Sequence, residues 1–130
     1  MREKTIIPSL ENMGEATEFF ENFMMEIDAP MKATMQVNVA VDEVLSNIIQ
    51  YSGATSVTLK CLLEDGEVKL IFSDDGRKYD PTDKEDPDIT LSADERDIGG
   101  LGIFMVKKTM DRVFYEYKNG KNVLTIVKSI

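Results

Sequence analysis

Apolar residues recur every three or four positions from Met13 to Ile27, at Met13, Ala16, Phe20, Phe23, Met24 and Ile27. This is the spacing of one face of an amphipathic helix. A second stripe, Val37, Ala40, Val41, Val44, Leu45 and Ile48, predicts another helix that starts near Asp28-Ala29-Pro30 and runs to about Tyr51. Proline suits a first helical turn, where its missing N–H costs nothing. Ahead of both, Thr5-Ile6-Ile7-Pro8 reads as a short strand closed by proline, with Ser9 or Asn12 available to cap the first helix. After Ser52-Gly53 the period changes to two: Val57, Leu59, Cys61 and Leu63 alternate, Asp65-Gly66 is a tight-turn dipeptide, and Val68, Leu70 and Phe72 return. Gly99-Gly100-Leu101-Gly102 opens a last helix through about Met110. Val113, Tyr115 and Tyr117 alternate again, and Asn119-Gly120 turns the chain into Val123 to Val127. The elements predict an α+β fold, a two-layer α/β sandwich of a mostly antiparallel sheet with helices on one face. No repeat or linker divides the chain, so residues 1–130 are expected to form a single domain. The stretch Asp80 to Asp97, rich in acids and holding Pro81 and Pro87, is expected to be a mobile surface loop.

Composition narrows the chemistry. The 130 residues are 42% hydrophobic and 30% charged, as in soluble globular proteins. No apolar run reaches the roughly 20 residues of a membrane span, and the start lacks a secretory core, so the expected location is cytoplasmic. Cys61 is the single cysteine and histidine is absent. An intramolecular disulfide, a Cys-rich zinc site, imidazole metal sites and Ser-His-Asp or Cys-His machinery are therefore excluded. A net charge of -9 argues against a nucleic-acid partner, which needs clustered cations. It fits a basic protein partner or plain solubility equally well.

Three groups of residues remain as candidates. Glu43 and Asn47 stand four apart, neighbours on a helix surface; they pair a general base with a neutral oxygen suited to Mg²⁺, although such pairs are also common on solvated helices. Phe72-Ser73-Asp74-Asp75-Gly76 ends a strand in acid and glycine. There Asp74 can accept a hydrogen bond from an exocyclic amine and Gly76 permits close backbone approach, but a plain turn explains the residues too. Gly99-Gly100-Leu101-Gly102-Ile103-Phe104 places three glycines at a helix start, where free N–H groups and the helix dipole suit phosphate. It is neither a Walker loop nor a Rossmann fingerprint, and a flexible hinge is the alternative.

Taken in this order, the three groups resemble the Bergerat superfamily of gyrase-like ATPases, histidine kinases and anti-sigma-factor kinases. Ala40-Val41-Asp42-Glu43-Val44-Leu45-Ser46-Asn47-Ile48-Ile49 looks like the family's N box and Asp74-Asp75-Gly76 like its Asp-x-Gly box. Tyr79-Asp80-Pro81, the glycine run through Val106 and Met110-Asp111 are most similar to the anti-sigma serine kinase branch. The resemblance implies ATP and Mg²⁺ as cofactors, Glu43 as the catalytic base and Asn47 as the Mg²⁺ ligand. Asp74 would read the adenine amine, with Gly76 and Asp80 beside the base, and Gly99, Gly100, Leu101, Gly102, Ile103 and Phe104 would lie at the phosphates. It further implies serine/threonine kinase activity on a small antagonist protein and sequestration of a sigma factor, or else a non-catalytic, nucleotide-gated interaction module. Lys78 stands where many relatives have a second glycine, and Gln50 where a number carry a basic or histidine side chain. Relatives of this branch often pair, so the helical stripes would serve either a homodimer or the core.

Overall fold

Strict alternation forces one face of each strand onto a common apolar layer, and the sheet is built on that rule. The computed structural model describes residues 1–83 and 98–130. Its strands are β1 (Arg2–Ile6), β2 (Val57–Glu64), β3 (Glu67–Asp74), β4 (Arg112–Lys118) and β5 (Lys121–Ser129). They form one sheet in the order β1-β2-β3-β5-β4, and every neighbouring pair is antiparallel. Asp65-Gly66 and Asn119-Gly120 close the two hairpins, with all four residues at positive φ, 53° and 76° in the first and 53° and 75° in the second. Two successive left-handed residues make the hairpin turn whose twist matches that of the strands.

The helices are α1 (Met13–Glu26), α2 (Met31–Asn47) and α3 (Ile98–Thr109). Both expected helical stripes face inward: Ala16, Phe20, Phe23 and Met24 of α1, and Val37, Ala40, Val41, Val44 and Leu45 of α2, are buried. They meet Val57, Leu59 and Cys61 of β2, Val68, Leu70 and Phe72 of β3, and Leu124 and Ile126 of β5. Full burial of such side chains contributes about 1.5–3 kcal/mol each. The architecture is the expected α+β sandwich. No helix among the described residues is long and apolar enough to cross a membrane.

Several boundaries differ from expectation. β1 begins at Arg2 and stops at Ile6, leaving Ile7 exposed. Asn12 precedes α1 but donates its side chain to the Ile7 carbonyl (2.8 Å) instead of capping the helix, and Pro30 sits one residue ahead of α2. Leu63 and Tyr117 continue the alternation of their strands yet are exposed. Alternation sets which way a side chain points, whereas cover depends on how far the helices reach. α2 does not run regularly to Tyr51 either, since Ile48–Ser52 widens into a π-helical turn ended by Gly53 in the left-handed region. Of the loop expected from Asp80 to Asp97, Pro81–Asp83 forms a short 3-10 turn with Pro81 buried; the rest, 84–97, lies outside the described residues.

Candidate functional site

A narrow cleft opens between the end of α2, the end of β3 and β5, lined by Asn47, Ser52, Asp74, Tyr79, Pro81 and Asn122 among others. The widened turn shapes its floor. In a regular helix the residue four after Asn47 would share its face, whereas the wider π-helical turn sends Ser52, five residues on, into the cleft. The Ser52 hydroxyl donates back to the Ile48 carbonyl (2.8 Å) and accepts from the Ala54 N–H (3.2 Å). Gln50 is exposed and does not join Asn47 in lining the cleft, and Glu43 lies outside that lining as well.

Asn47 is 7% exposed and lines the cleft. No hydrogen bond to a described residue engages its carboxamide, which leaves its oxygen and nitrogen for something in the cleft. Glu43, one turn earlier and half-buried, lies directly against Gly102 of α3: a methyl group built on Gly102 would overlap the Glu43 carboxylate. Glycine at this position is what leaves room for the Glu43 carboxylate between the two helices.

Asp74 is the buried end of β3, 3% exposed. Its Oδ1 accepts from the Gly76 N–H (2.9 Å) and from Asn122 Nδ2 (3.1 Å). Both of its hydrogen bonds fall on that one oxygen, so Oδ2 keeps its capacity as an acceptor. Gly76 has a reason internal to the chain for being glycine, because an added Cβ would strike the Ser52 backbone, 2.8 Å from its carbonyl carbon. Asp80 turns inward on its own segment, its Oδ1 accepting from the Thr82 N–H (2.8 Å) and hydroxyl (2.6 Å). Lys107 of α3 reaches the Thr82 carbonyl at 3.4 Å, which ties α3 to that segment.

The glycine run occupies the first turns of α3. Of the expected cradle, Gly99 and Gly100 stand in the opening turn, where helix geometry gives the N–H no intrahelical acceptor, whereas the amides from Leu101 to Phe104 fall inside the regular hydrogen-bond pattern. Ile103 is buried, and the Phe104 ring lies under Lys108 Nζ at 5.3 Å.

Several residues that matter to this geometry were given no role in the sequence reading. Asn122 uses every hydrogen-bonding group it has: Oδ1 accepts from the Tyr79 N–H (2.9 Å) and the Tyr115 hydroxyl (2.5 Å), and Nδ2 donates to Asp74 and to the Arg77 carbonyl (2.7 Å). Burial first, and the Asp80 charge second, push the Tyr115 hydroxyl up from its ordinary pKa, which keeps it a donor. A flipped amide would set its oxygen against the Asp74 carboxylate, so the network fixes the orientation. Asn122 faces inward in step with Leu124 and Ile126, and a polar residue in an apolar alternation was the available signal. Asp75, pointing the other way, accepts from the Thr55 hydroxyl and from the N–H groups of Thr55 (2.7 Å) and Ser56 (3.1 Å). These bonds, the Thr55 hydroxyl foremost, lower its pKa to about 2. Arg77 donates from Nε to the Tyr51 carbonyl (2.9 Å) and from its N–H to the Ser52 carbonyl (2.9 Å), satisfying carbonyls left open at a helix end. The Tyr51 ring also stacks on Tyr79, centroids 5.1 Å apart.

Comparison with known proteins places this arrangement. The sequence model of the histidine kinase-like ATPase domain matches residues 6–128. The chain is 30% identical over 96 residues to the serine/threonine-protein kinase BtrW of Bordetella bronchiseptica, covering 69% of this chain and 66% of the relative. It is 27% identical over 101 residues to the serine-protein kinase RsbW of Listeria monocytogenes, covering 72% and 64%. Similarity to the anti-sigma F factor of Oceanobacillus iheyensis is 23% over 107 residues, 79% of this chain and 73% of that protein. The chain thus spans slightly under two thirds of the length of the two kinases.

Proposed function

This chain belongs to the histidine kinase-like ATPase domain family, and from that premise we propose that its cleft binds Mg-ATP and transfers phosphate to a serine or threonine hydroxyl of a small antagonist protein. The observation that carries the reading is the meeting of Asn47 and Asp74, a buried carboxamide and a buried carboxylate, in one cleft. Glu43 stands one helical turn from the first of them.

In this reading Asp74 Oδ2 accepts from the adenine amine, while Asn122 and the Gly76 N–H hold the other oxygen. An acceptor-only carboxylate matches the amino group of adenine and rejects a carbonyl at the same place. Gly76 and Asp80 keep the turn beside the base in shape. The opening amides of α3, Gly99 and Gly100 with Leu101 after them, lie at its positive end and face the phosphates; Gly102, Ile103 and Phe104 seat the helix behind them. The residues fit a bound Mg²⁺: the Asn47 carboxamide, buried at the cleft and without a hydrogen bond to a described residue, would supply one oxygen ligand. Magnesium is commonly held by one or two protein ligands together with phosphates and waters, and when bound it neutralises phosphate charge. Glu43 accepts the proton of the attacking hydroxyl. Phosphoryl transfer of this kind rests on positioning and charge stabilisation, which a chain without histidine can supply.

The names of the relatives support two partners, a sigma factor sequestered by the protein and the antagonist that it phosphorylates. Calorimetric titration with Mg-ATP and Mg-ADP tests the site. Wild type binds both nucleotides and Asp74→Asn binds at least tenfold more weakly, whereas equal binding by the two proteins removes the adenine assignment.

A further inference from the structure

We propose that the outer face of the α1–α2 pair is a docking surface for a basic amphipathic helix of a partner protein. α2 buries one stripe in the core, yet it turns a second row outward: Met31, Met35 and Val39, spaced by four, are 78%, 62% and 49% exposed. Met25, at the end of α1, is 75% exposed and shares with Met31, Thr34 and Glu21 an open groove between the two helices. A single exposed apolar side chain is ordinary; a row of them that starts in the groove at Met31 and continues beside it through Met35 and Val39 is a face that water covers poorly. The row from Met31 to Val39 spans about 12 Å, two helical turns. Methionine is the apolar side chain that adapts most readily to different partners.

Charge decides what kind of partner fits. From Glu11 to Asn47 the chain carries eight carboxylates and one cation, Lys32, so seven of its nine net negative charges lie in this layer. Glu15 and Glu26 are paired with Lys4 and Arg2. Glu18, Glu21 and Asp42 have no described cationic partner, and the last two mark the seam, where Asn38 donates to Glu21 (2.7 Å) and Thr17 to Asp42 (3.4 Å). An acidic, methionine-lined groove repels a second copy of itself, as it does nucleic acid or an anionic lipid surface. It suits a helix with apolar residues on one side and Lys or Arg beside them, laid in the groove. Met31 lies roughly 18 Å along α2 from Glu43, and neither it nor Met35 lines the cleft, so the inference does not depend on the nucleotide reading.

The test titrates the full chain with a fluorescent Leu/Lys amphipathic helix and with its Leu/Glu counterpart. Three proteins are compared: wild type, the double variant Met31→Ser/Met35→Ser, and Glu21→Lys. Mg-ATP affinity is measured in parallel and is expected to be the same in all three. The Leu/Lys peptide binds wild type, shifts amide resonances along α1 and α2, and binds each variant at least tenfold more weakly, while the Leu/Glu peptide does not bind. Equal affinity for wild type and variants overturns the proposal, as do shifts confined to the uncovered face of the sheet. So does a dimer, seen by sedimentation, that Met31→Ser/Met35→Ser disperses, since the face would then belong to a second copy.

Discussion

The Glu43 carboxylate rests on the α carbon of Gly102, and it can keep that position only where residue 102 has no side chain. The atom in the way is the far end of a flexible side chain, and Gly102→Ala is accommodated by displacing that carboxylate. Alanine within a helix also gains about 0.8–1 kcal/mol over glycine in propensity. The expected outcome is a variant as stable as wild type or more so, with phosphate transfer reduced at least tenfold. Thermal unfolding together with a radiolabel transfer assay checks it; unchanged transfer would separate Glu43 from the chemistry.

Glu43→Ala should leave Mg-ATP affinity within about threefold and abolish transfer to the partner, because a general base acts on the transition state and not on ground-state binding. Loss of affinity in proportion to loss of transfer would instead make Glu43 a binding residue.

Gly76→Ala presents a different problem, for here the obstacle is the Ser52 backbone, which cannot rotate away. Overpacking against backbone costs about 1–3 kcal/mol, and the Arg77 N–H to Ser52 carbonyl bond is strained with it. Urea unfolding is expected to show a loss of that size; a variant as stable as wild type would mean that the turn shifts freely.

Asn122→Leu removes four hydrogen bonds at once and leaves Asp74 with the Gly76 N–H alone. Each buried polar group deprived of its partner costs about 1–3 kcal/mol. Nucleotide affinity should fall along with stability, and preference for ATP over GTP should narrow as the carboxylate loses its fixed orientation. Competition titration of the two nucleotides measures that ratio, and an unaltered ratio would leave Asn122 with a structural role only.

Asp75 makes stability depend on acid. Its pKa falls from 3.8 when free to about 2 in the fold, chiefly through the Thr55 hydroxyl. The unfolded chain therefore takes up the proton first. The contribution is complete above about pH 4 and is lost as pH falls from 3.8 towards 2. Asp75→Asn keeps the shape without the charge. Its stability deficit in urea unfolding should be constant above pH 4 and shrink below it, whereas a deficit independent of pH would contradict this role.

Cys61 is fully buried, and desolvation raises its thiol to a pKa of about 11. At pH 8 the native protein should resist iodoacetamide and the urea-unfolded chain should react, as mass spectrometry can show; rapid labelling of the native form would mean that the β1 edge opens.

The two helical stripes and both Asx-Gly hairpins were legible because periodicity and turn chemistry are local properties. Val37 to Leu45 faces inward as the 3.6-residue spacing demands, and Asn119-Gly120 adopts the positive φ its composition favours. The π-helical turn at Ile48–Ser52 was not legible, since the Arg77 bonds that satisfy its carbonyls come from beyond the next hairpin. The same holds for Leu63 and Tyr117, which keep the alternation but lie where no helix covers them.

By itself the sequence determined the element types and the layer each strand turns to the core, and it singled out the residues proposed to meet phosphate, adenine and a divalent cation. These follow from spacing along one chain. Only the tertiary structure decided that Asp74 shares a cleft with Asn47, that Glu43 lies under Gly102, and that Asn122 holds Asp74 in place from a strand 48 residues away. Strand pairing and helix closure set such contacts, and their registry depends on how all the elements pack together.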